Sequence, residues 1–356
     1  MSNDISILQS DAIKLLKQLI STPSFSKEED NTAGLIKKFL DERGVITEQF
    51  LYNVWARNKY FDKNKPSILL NSHHDTVKPN KGYTLDPFSP IEKDGKLFGL
   101  GSNDAGGSLV SLIAVFLYFY EKENLKYNFI VAATAEEEIS GHNGIEALLQ
   151  QLGNLDFAIV GEPTQMQMAV AEKGLMVLDC TATGRAGHAA REEGDNAIYK
   201  AIKDIEWFNS YRFDKVSDLL GPVKMSVTVI ETDNKAHNIV PAQCRFVVDC
   251  RVNELYTFEE ILDLIKSKVQ SEIKPRSIRL RSSSIALNHP LVQAGVKLGR
   301  SCYGSPTTSD KALMHFPALK IGPGDSARSH TADEYIYVDE IKEGIELYIQ
   351  LLNQLV

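Results

Sequence analysis

The sequence predicts an α/β protein whose alternation of helices and strands is interrupted by a segment with a different rhythm. Apolar runs at residues 68–70, 127–134 and 157–160 read as buried strands, and helical patterns separate them up to about residue 170. From about Leu175 the strand candidates switch to period two, the mark of a sheet with one face covered. Near residue 291 the first style returns. The simplest organisation is a discontinuous α/β domain, residues 1–172 and 285–356, interrupted by an inserted domain at residues 173–284.

Taken in order, residues 11–19 and 31–43 carry amphipathic helical periodicity. The strand at 68–70 follows. Residues 107–120 are apolar nearly all round and predict a buried helix covering the sheet. Inside the interruption, 176–182 is strand-like, 195–209 helical, and 223–230 and 244–252 alternate; 258–269 is helical and 277–283 extended. That order, β-α-β-β-α-β, is the ferredoxin-like unit. A helix at 291–301, a strand at 318–321 and a helix at 339–352 complete the first domain.

Composition narrows the class. The 356 residues suffice for two domains, and 43% hydrophobic with 24% charged residues is ordinary for a globular chain. A net charge of −8 argues against nucleic acid or anionic membrane as partner. Met1-Ser2-Asn3-Asp4 shows no basic leader before an apolar core, and the longest apolar run, 112–120, is short for a membrane span. The expectation is a cytoplasmic protein whose Cys180, Cys244, Cys250 and Cys302, with no C-x-x-C pair, are reduced and buried.

The chemistry gathers at strand ends. Ser72-His73-His74-Asp75 follows the first strand, Glu136-Glu137-Glu138 the second, and Gly161-Glu162-Pro163 the third. Asp104 closes Gly99-Leu100-Gly101-Ser102-Asn103-Asp104 just before the apolar helix, and His330-Thr331-Ala332-Asp333-Glu334 lies near the far end. Singly, each has an ordinary reading: helix-start acids for 136–138, an N-cap for Asp104, a solvated turn for Glu162. Together they put carboxylate or imidazole where open α/β sheets bind ligands. His73 and Asp75 project from one face of an extended chain, able to share a divalent metal or to pair as ligand and orienting partner. His74, the competing candidate ligand, points the other way, toward a place in the core or behind the ligands.

These motifs, in this order and spacing, resemble the zinc-dependent aminoacylase/carboxypeptidase (M20-type) family, most of all its acetylornithine deacetylases and succinyl-diaminopimelate desuccinylases. The resemblance spans essentially the whole chain. It implies a mixed-sheet α/β/α catalytic domain and an inserted domain that dimerises. It assigns His73 and Glu162 to one zinc, Glu138 and His330 to a second, and Asp104 to both, two ions per subunit with cobalt as a substitute. Glu137 is then the general base toward a shared, acidified water, and Asp75 orients His73. His188, in Gly184-Arg185-Ala186-Gly187-His188, corresponds to the oxyanion donor, reaching across from a partner subunit. Asn238 and Arg251 correspond to holders of the substrate carboxylate, and Gly324 with Ser309-Asp310 lines the substrate side. Without the resemblance, His188 is surface decoration and Arg251 a salt bridge with Asp249. Glu136 reads as a helix-start charge.

Leu100 stands where many relatives have Arg, and Ala105-Gly106-Gly107 where they have Met-Lys-Gly; neither position ligates metal. The resemblance places a cis peptide at Asp104–Ala105. The expected activity is removal of an acyl group from N-acetyl- or N-succinylornithine in arginine biosynthesis, by a homodimer. The alternatives are a succinyl-diaminopimelate desuccinylase or dipeptidase of the same family, and, from another class, a non-catalytic metal- or peptide-binding homologue. Glu137 speaks against the last, because a binder has no use for a base beside its metals.

Overall fold

The computed structural model describes residues 4–191 and 193–356, so the start of the chain on which the leader expectation rests lies outside the described residues. The chain divides into two compact units, one of Met1–Val170, Ser284–Tyr303 and Ser309–Val356, the other of Ala171–Ser283 and Gly304–Thr308.

The first unit is built on a mixed sheet. Ser67–His73 and Asn128–Thr134 are buried at every position, which is why these mostly apolar segments occupy its middle, covered on both faces. They pair in parallel; Ser67–His73 pairs in parallel with Phe157–Val160, and that strand with Ala318–Lys320. The hairpin Thr47–Phe50 and Asn53–Arg57 adds antiparallel strands beyond Asn128–Thr134. Register decides the site. His73 lies opposite Thr134 and Asn71 opposite Val160, so three parallel strands end side by side.

Helix Gly107–Tyr120 is buried everywhere except Tyr118 and packs on the two central strands, with Ile5–Ile20 and Val338–Asn353 packed against it. With the turn before it, Ser102–Tyr120 is the one stretch among the described residues long and apolar enough to cross a membrane, yet 89% of its apolar window is buried in the protein. The sequence reading took a shorter run because Ser108 and Ser111 interrupt it. The Ser111 hydroxyl donates to the Gly107 carbonyl at 2.7 Å, so that hydroxyl is satisfied inside the helix. Helix Ile5–Ile20 begins earlier than expected because Asp4 caps it, accepting from the Ser6 N–H at 2.9 Å.

His74 takes the core role expected of it. Its Nε2–H donates to the Tyr52 carbonyl, and its Nδ1 accepts from the Thr32 hydroxyl, each at 2.9 Å. Both contacts suit a neutral ring, and burial lowers its pKa to about 4.

The second unit runs Gly174–Thr183, Ala197–Ser210, Lys224–Thr232, Gln243–Val252, Phe258–Lys268 and Glu272–Pro275. Its antiparallel sheet has the order Lys224–Thr232, Gln243–Val252, Gly174–Thr183, Glu272–Pro275. The two inner strands alternate, and Met176, Leu178, Cys180, Phe246 and Val248 face a core shared with Phe208, Phe258 and Ile261. One expectation is corrected: the last strand is Glu272–Pro275, not 277–283. Proline lacks the N–H a central strand needs but is tolerated at this edge, and the stop it signals in sequence hides a short strand. All four cysteines are free; Cys302 is half-buried, whereas burial pushes the Cys180 thiol up to about 12.

Candidate metal centre

Three strand ends, one turn and one return segment bring six of the expected side chains together within the first unit. His73 ends its strand wholly buried, and its Nδ1–H donates to the backbone carbonyl of Asp75 at 3.0 Å. That bond orients the ring and turns Nε2, the nitrogen a metal would take, toward carboxylates. Nε2 stands 3.3 Å from Asp104, 3.9 Å from Glu137 and 3.9 Å from Glu162. His330, half exposed, faces Glu138 at 3.0 Å and Asp104 at 3.7 Å. Asp104 thus lies near both imidazoles. Two triads hold donor atoms within 4.8 Å of one another, His73–Asp104–Glu138 and His73–Glu137–Glu162.

Asp75 does more than was expected of it. Its carboxylate is 3.4 Å from His73 Nδ1, longer than the bond to its own backbone carbonyl. Its closer partners are the backbone N–H groups of Glu137 at 3.0 Å and Glu138 at 3.1 Å and the Ser26 hydroxyl at 2.7 Å. One carboxylate therefore holds the chain that presents two neighbouring acids. Glu29, which the sequence reading missed, is buried and accepts from the Glu136 N–H at 3.0 Å. Glu136 is not a helix-start charge. It lies in a left-handed turn (φ 56°), bound by the Asn143 side chain at 2.9 Å, and the next helix begins only at Ile145.

Asp104 sits in the turn Ser102–Gly106, and the Asp104–Ala105 peptide is cis. Both glycines before it are demanded by space. Gly101 has φ 75°, and a Cβ there would meet Thr76 Cγ2 at 2.6 Å; one at Gly99 would meet Ile20 Cγ2 at 2.3 Å. Leu100 and Ala105, the two departures, are buried. Asn103, also missed, accepts from the Asp325 N–H at 2.9 Å and donates to its carbonyl at 3.1 Å. It packs beneath Gly324 (φ 91°), where a Cβ would meet Asn103 Oδ1 at 2.5 Å. Asp310 is buried, accepting from Asn71 and Thr134 at 2.8 Å each, and burial pushes its carboxyl up to about 6. A cavity of about 230 Å³ lies beside His330, lined by Lys78, Asn80, Tyr83, Leu100 and Thr331 among others.

The remaining candidates lie in the second unit. Gly187–His188 pairs with Ile239–Val240, and the Ala189 N–H donates to the Asn238 carbonyl at 2.9 Å, so His188 and Asn238 share one ribbon. Arg251 forks onto Asp249 at 2.8 and 3.0 Å, the alternative weighed for it from sequence.

The donor set fits dications. Four carboxylates and two imidazoles offer oxygen and nitrogen, the donors zinc accepts, and the mostly buried negative charge calls for cations to offset it. The same crowding shifts the pKa values of these groups. Burial alone would lower the His73 pKa, but the bonds to Asp104 and Asp75 and the charges of Glu137 and Glu162 raise it well above the usual imidazole range. The bond to Glu138 raises His330 to about 9. Burial lifts Glu137 well above the carboxylate range; His73 opposes this, and Glu162, Asp310 and Glu138 add to it.

Residues 69–354 match the model of peptidase family M20/M25/M40. The chain is 23% identical to succinyl-diaminopimelate desuccinylase 2 of Ruegeria sp. (strain TM1040), over 96% of this chain and 94% of that one. Its fold is similar to that of a tripeptidase from Staphylococcus aureus, with TM-score 0.77, 19% identity and coverage of 96% and 97% of the two chains. It is also similar to a dinuclear metal-binding M20 peptidase from Bacillus subtilis, with TM-score 0.73, 15% identity and coverage of 97% and 98%.

Ligation requires neutral imidazoles, whereas the metal-free cluster holds protons on His73 and His330 near neutral pH. Zinc must therefore displace protons, and its affinity should rise with pH through neutrality up to about 9, where His330 is half deprotonated. Calorimetry in buffers of different ionisation enthalpy should show proton release near neutral pH; no release, or uptake, contradicts this charge state.

Proposed function

The chain belongs to peptidase family M20/M25/M40, a family of metal-dependent hydrolases, and we propose that it cleaves the amide of a small N-acyl amino acid, with a succinylated diamino acid as its substrate. The observation that carries this reading is the cluster of carboxylates around His73 and His330 with Glu137 beside it. The Ruegeria relative is named for succinyl-diaminopimelate, which moves the reading from N-acylornithine to N-succinyl-diaminopimelate. Lys78, in the cavity beside His330, supports an acidic acyl group: no carboxylate among the described residues forms an ion pair with it.

In this reading His73, Glu162 and Asp104 would hold one zinc, and Asp104, Glu138 and His330 the other. Bound there, the metals would supply Lewis-acid polarisation of the scissile carbonyl and acidification of the attacking water. Glu137 takes that water's proton and passes it to the leaving amine; its burial, which favours the protonated form, suits a base that must then act as an acid. Asp75 fixes the chain under Glu137 and Glu138. His188 donates to the developing oxyanion, Asn238 and Arg251 hold the substrate carboxylate, with Arg251 exchanging Asp249 for it, and Gly324 lines the acyl side.

We read residues 173–284 as a ferredoxin-like dimerisation domain inserted into a catalytic domain of 1–172 and 285–356. The compact division and the β-α-β-β-α-β order support this, as do exposed Val229 and Ile230 on the edge strand Lys224–Thr232.

The zinc-loaded protein, assayed on N-succinyl-diaminopimelate, N-succinyl- and N-acetylornithine and dipeptides, should prefer the succinylated diaminopimelate by at least about tenfold in kcat/KM. Dominant dipeptide turnover would overturn the acyl reading. Glu137→Gln should keep its zinc while turnover falls by roughly two to four decades; loss of zinc instead makes Glu137 a ligand. If His188 acts from the partner subunit, mixing inactive Glu137→Gln and His188→Ala proteins should restore activity after subunit exchange. No recovery in confirmed mixed dimers puts His188 in its own subunit's site or outside catalysis.

A further inference from the structure

Glu334 has no role in the reading above, yet the Gly99–Asp104 turn is wound around it. Its backbone carbonyl accepts from the Gly99 N–H at 3.0 Å. Its Oε2 accepts from Gly101 at 3.1 Å, and its Oε1 from Asn103 at 2.8 Å and Asp104 at 2.9 Å. The residue is 2% exposed, and no Lys or Arg among the described residues forms an ion pair with it. Backbone amides favour its charged form, but burial and the charge of Asp104 outweigh them and lift the carboxyl to about 8. An acid side chain suits this place because its two oxygens offer several lone pairs, enough for every amide of the turn that reaches them.

The position in the chain gives the contact its meaning. Glu334 stands four residues after His330, which faces Glu138 at 3.0 Å and Asp104 at 3.7 Å. The segment that returns His330 to the cluster is thus tied to the turn that presents Asp104. Asp333 makes a similar clamp in another direction, accepting from the backbone N–H groups of Thr84 at 2.8 Å and Leu85 at 2.9 Å.

We propose that Glu334 is a positioning residue that sets the register between the Asp104 turn and His330, and so the grip of these two ligands on one cation of the pair. This rests on the proposed sharing of a zinc by Asp104, Glu138 and His330. Removing the oxygen pair frees the turn without touching any ligand. Groups that orient ligands in this way typically change metal affinity by about 10–100-fold when replaced. Glu334→Gln puts an amide donor where Oε1 or Oε2 accepted, so at least one backbone N–H faces another donor.

The test is stepwise binding of Zn²⁺ to the metal-free full-length protein by chelator competition, with the visible spectrum of the Co²⁺-loaded form and the metal-free melting temperature measured alongside. Glu334→Gln should bind the first ion as wild type does and the second about 10–100-fold more weakly, with a changed Co²⁺ spectrum for the second equivalent. Glu334→Asp, which keeps the carboxyl group but is one methylene shorter, should lose affinity in the same step and serves if the Gln variant fails to fold. Asp333→Asn should bind both ions as wild type does. The proposal is overturned if both Glu334 variants bind two ions with wild-type affinity and spectrum. It is also overturned if all three variants lose both ions alike in proportion to their loss of melting temperature. A wild-type protein that binds fewer than two ions instead refutes the two-zinc reading on which the proposal rests.

Discussion

Four carboxylates packed within reach of two imidazoles are the constraint around which the first unit is built. At close range in a poorly solvated place, like charges repel strongly. The protein answers with the backbone. Asp75 takes the amides of Glu137 and Glu138, Glu29 takes that of Glu136, and Glu334 takes three from the Asp104 turn. Each of these acids accepts amide hydrogen bonds, and each fixes a stretch of chain whose side chains remain free to face one another.

The fold makes that convergence possible. Parallel pairing in register brings the ends of Ser67–His73, Asn128–Thr134 and Phe157–Val160 to one edge, so residues far apart in sequence meet without long loops. The fourth parallel strand, Ala318–Lys320, leads into Gly322-Pro323-Gly324, and the Tyr348 hydroxyl of the last helix donates to the Ile321 carbonyl at 2.5 Å just before it. The chain that leaves for the second unit must come back to supply His330. The first unit is complete only when its last third has folded onto its first half.

Much of this was legible in the sequence, for identifiable reasons. Buried parallel strands are continuous apolar runs, so their ends, and the acids on them, stand out; so does the glycine spacing that the Asp104 turn requires. The partners of those acids do not stand out. Glu29 resembles any acid at a helix start, although its bond to Glu136 spans 107 residues. Asp310 binds Asn71 across 239 residues, and Asn103 binds Asp325 across 222. Hydrogen bonds between buried polar groups leave no periodic trace in a sequence. Glu136 misled for the opposite reason: three consecutive acids suggest a helix start, whereas the turn places each in a different environment. The Glu272–Pro275 strand was hidden by its own proline.

The central claim is that the cluster at the strand ends holds two cations with Asp104 between them. Anomalous diffraction at the zinc edge from crystals of the zinc-loaded protein tests it most directly. The account predicts two peaks in each subunit, one against His73 and Glu162 and one against Glu138 and His330, with an Asp104 oxygen directed at each. A single peak held by His73, Glu137 and Glu162, or zinc bound away from Asp104, would contradict it.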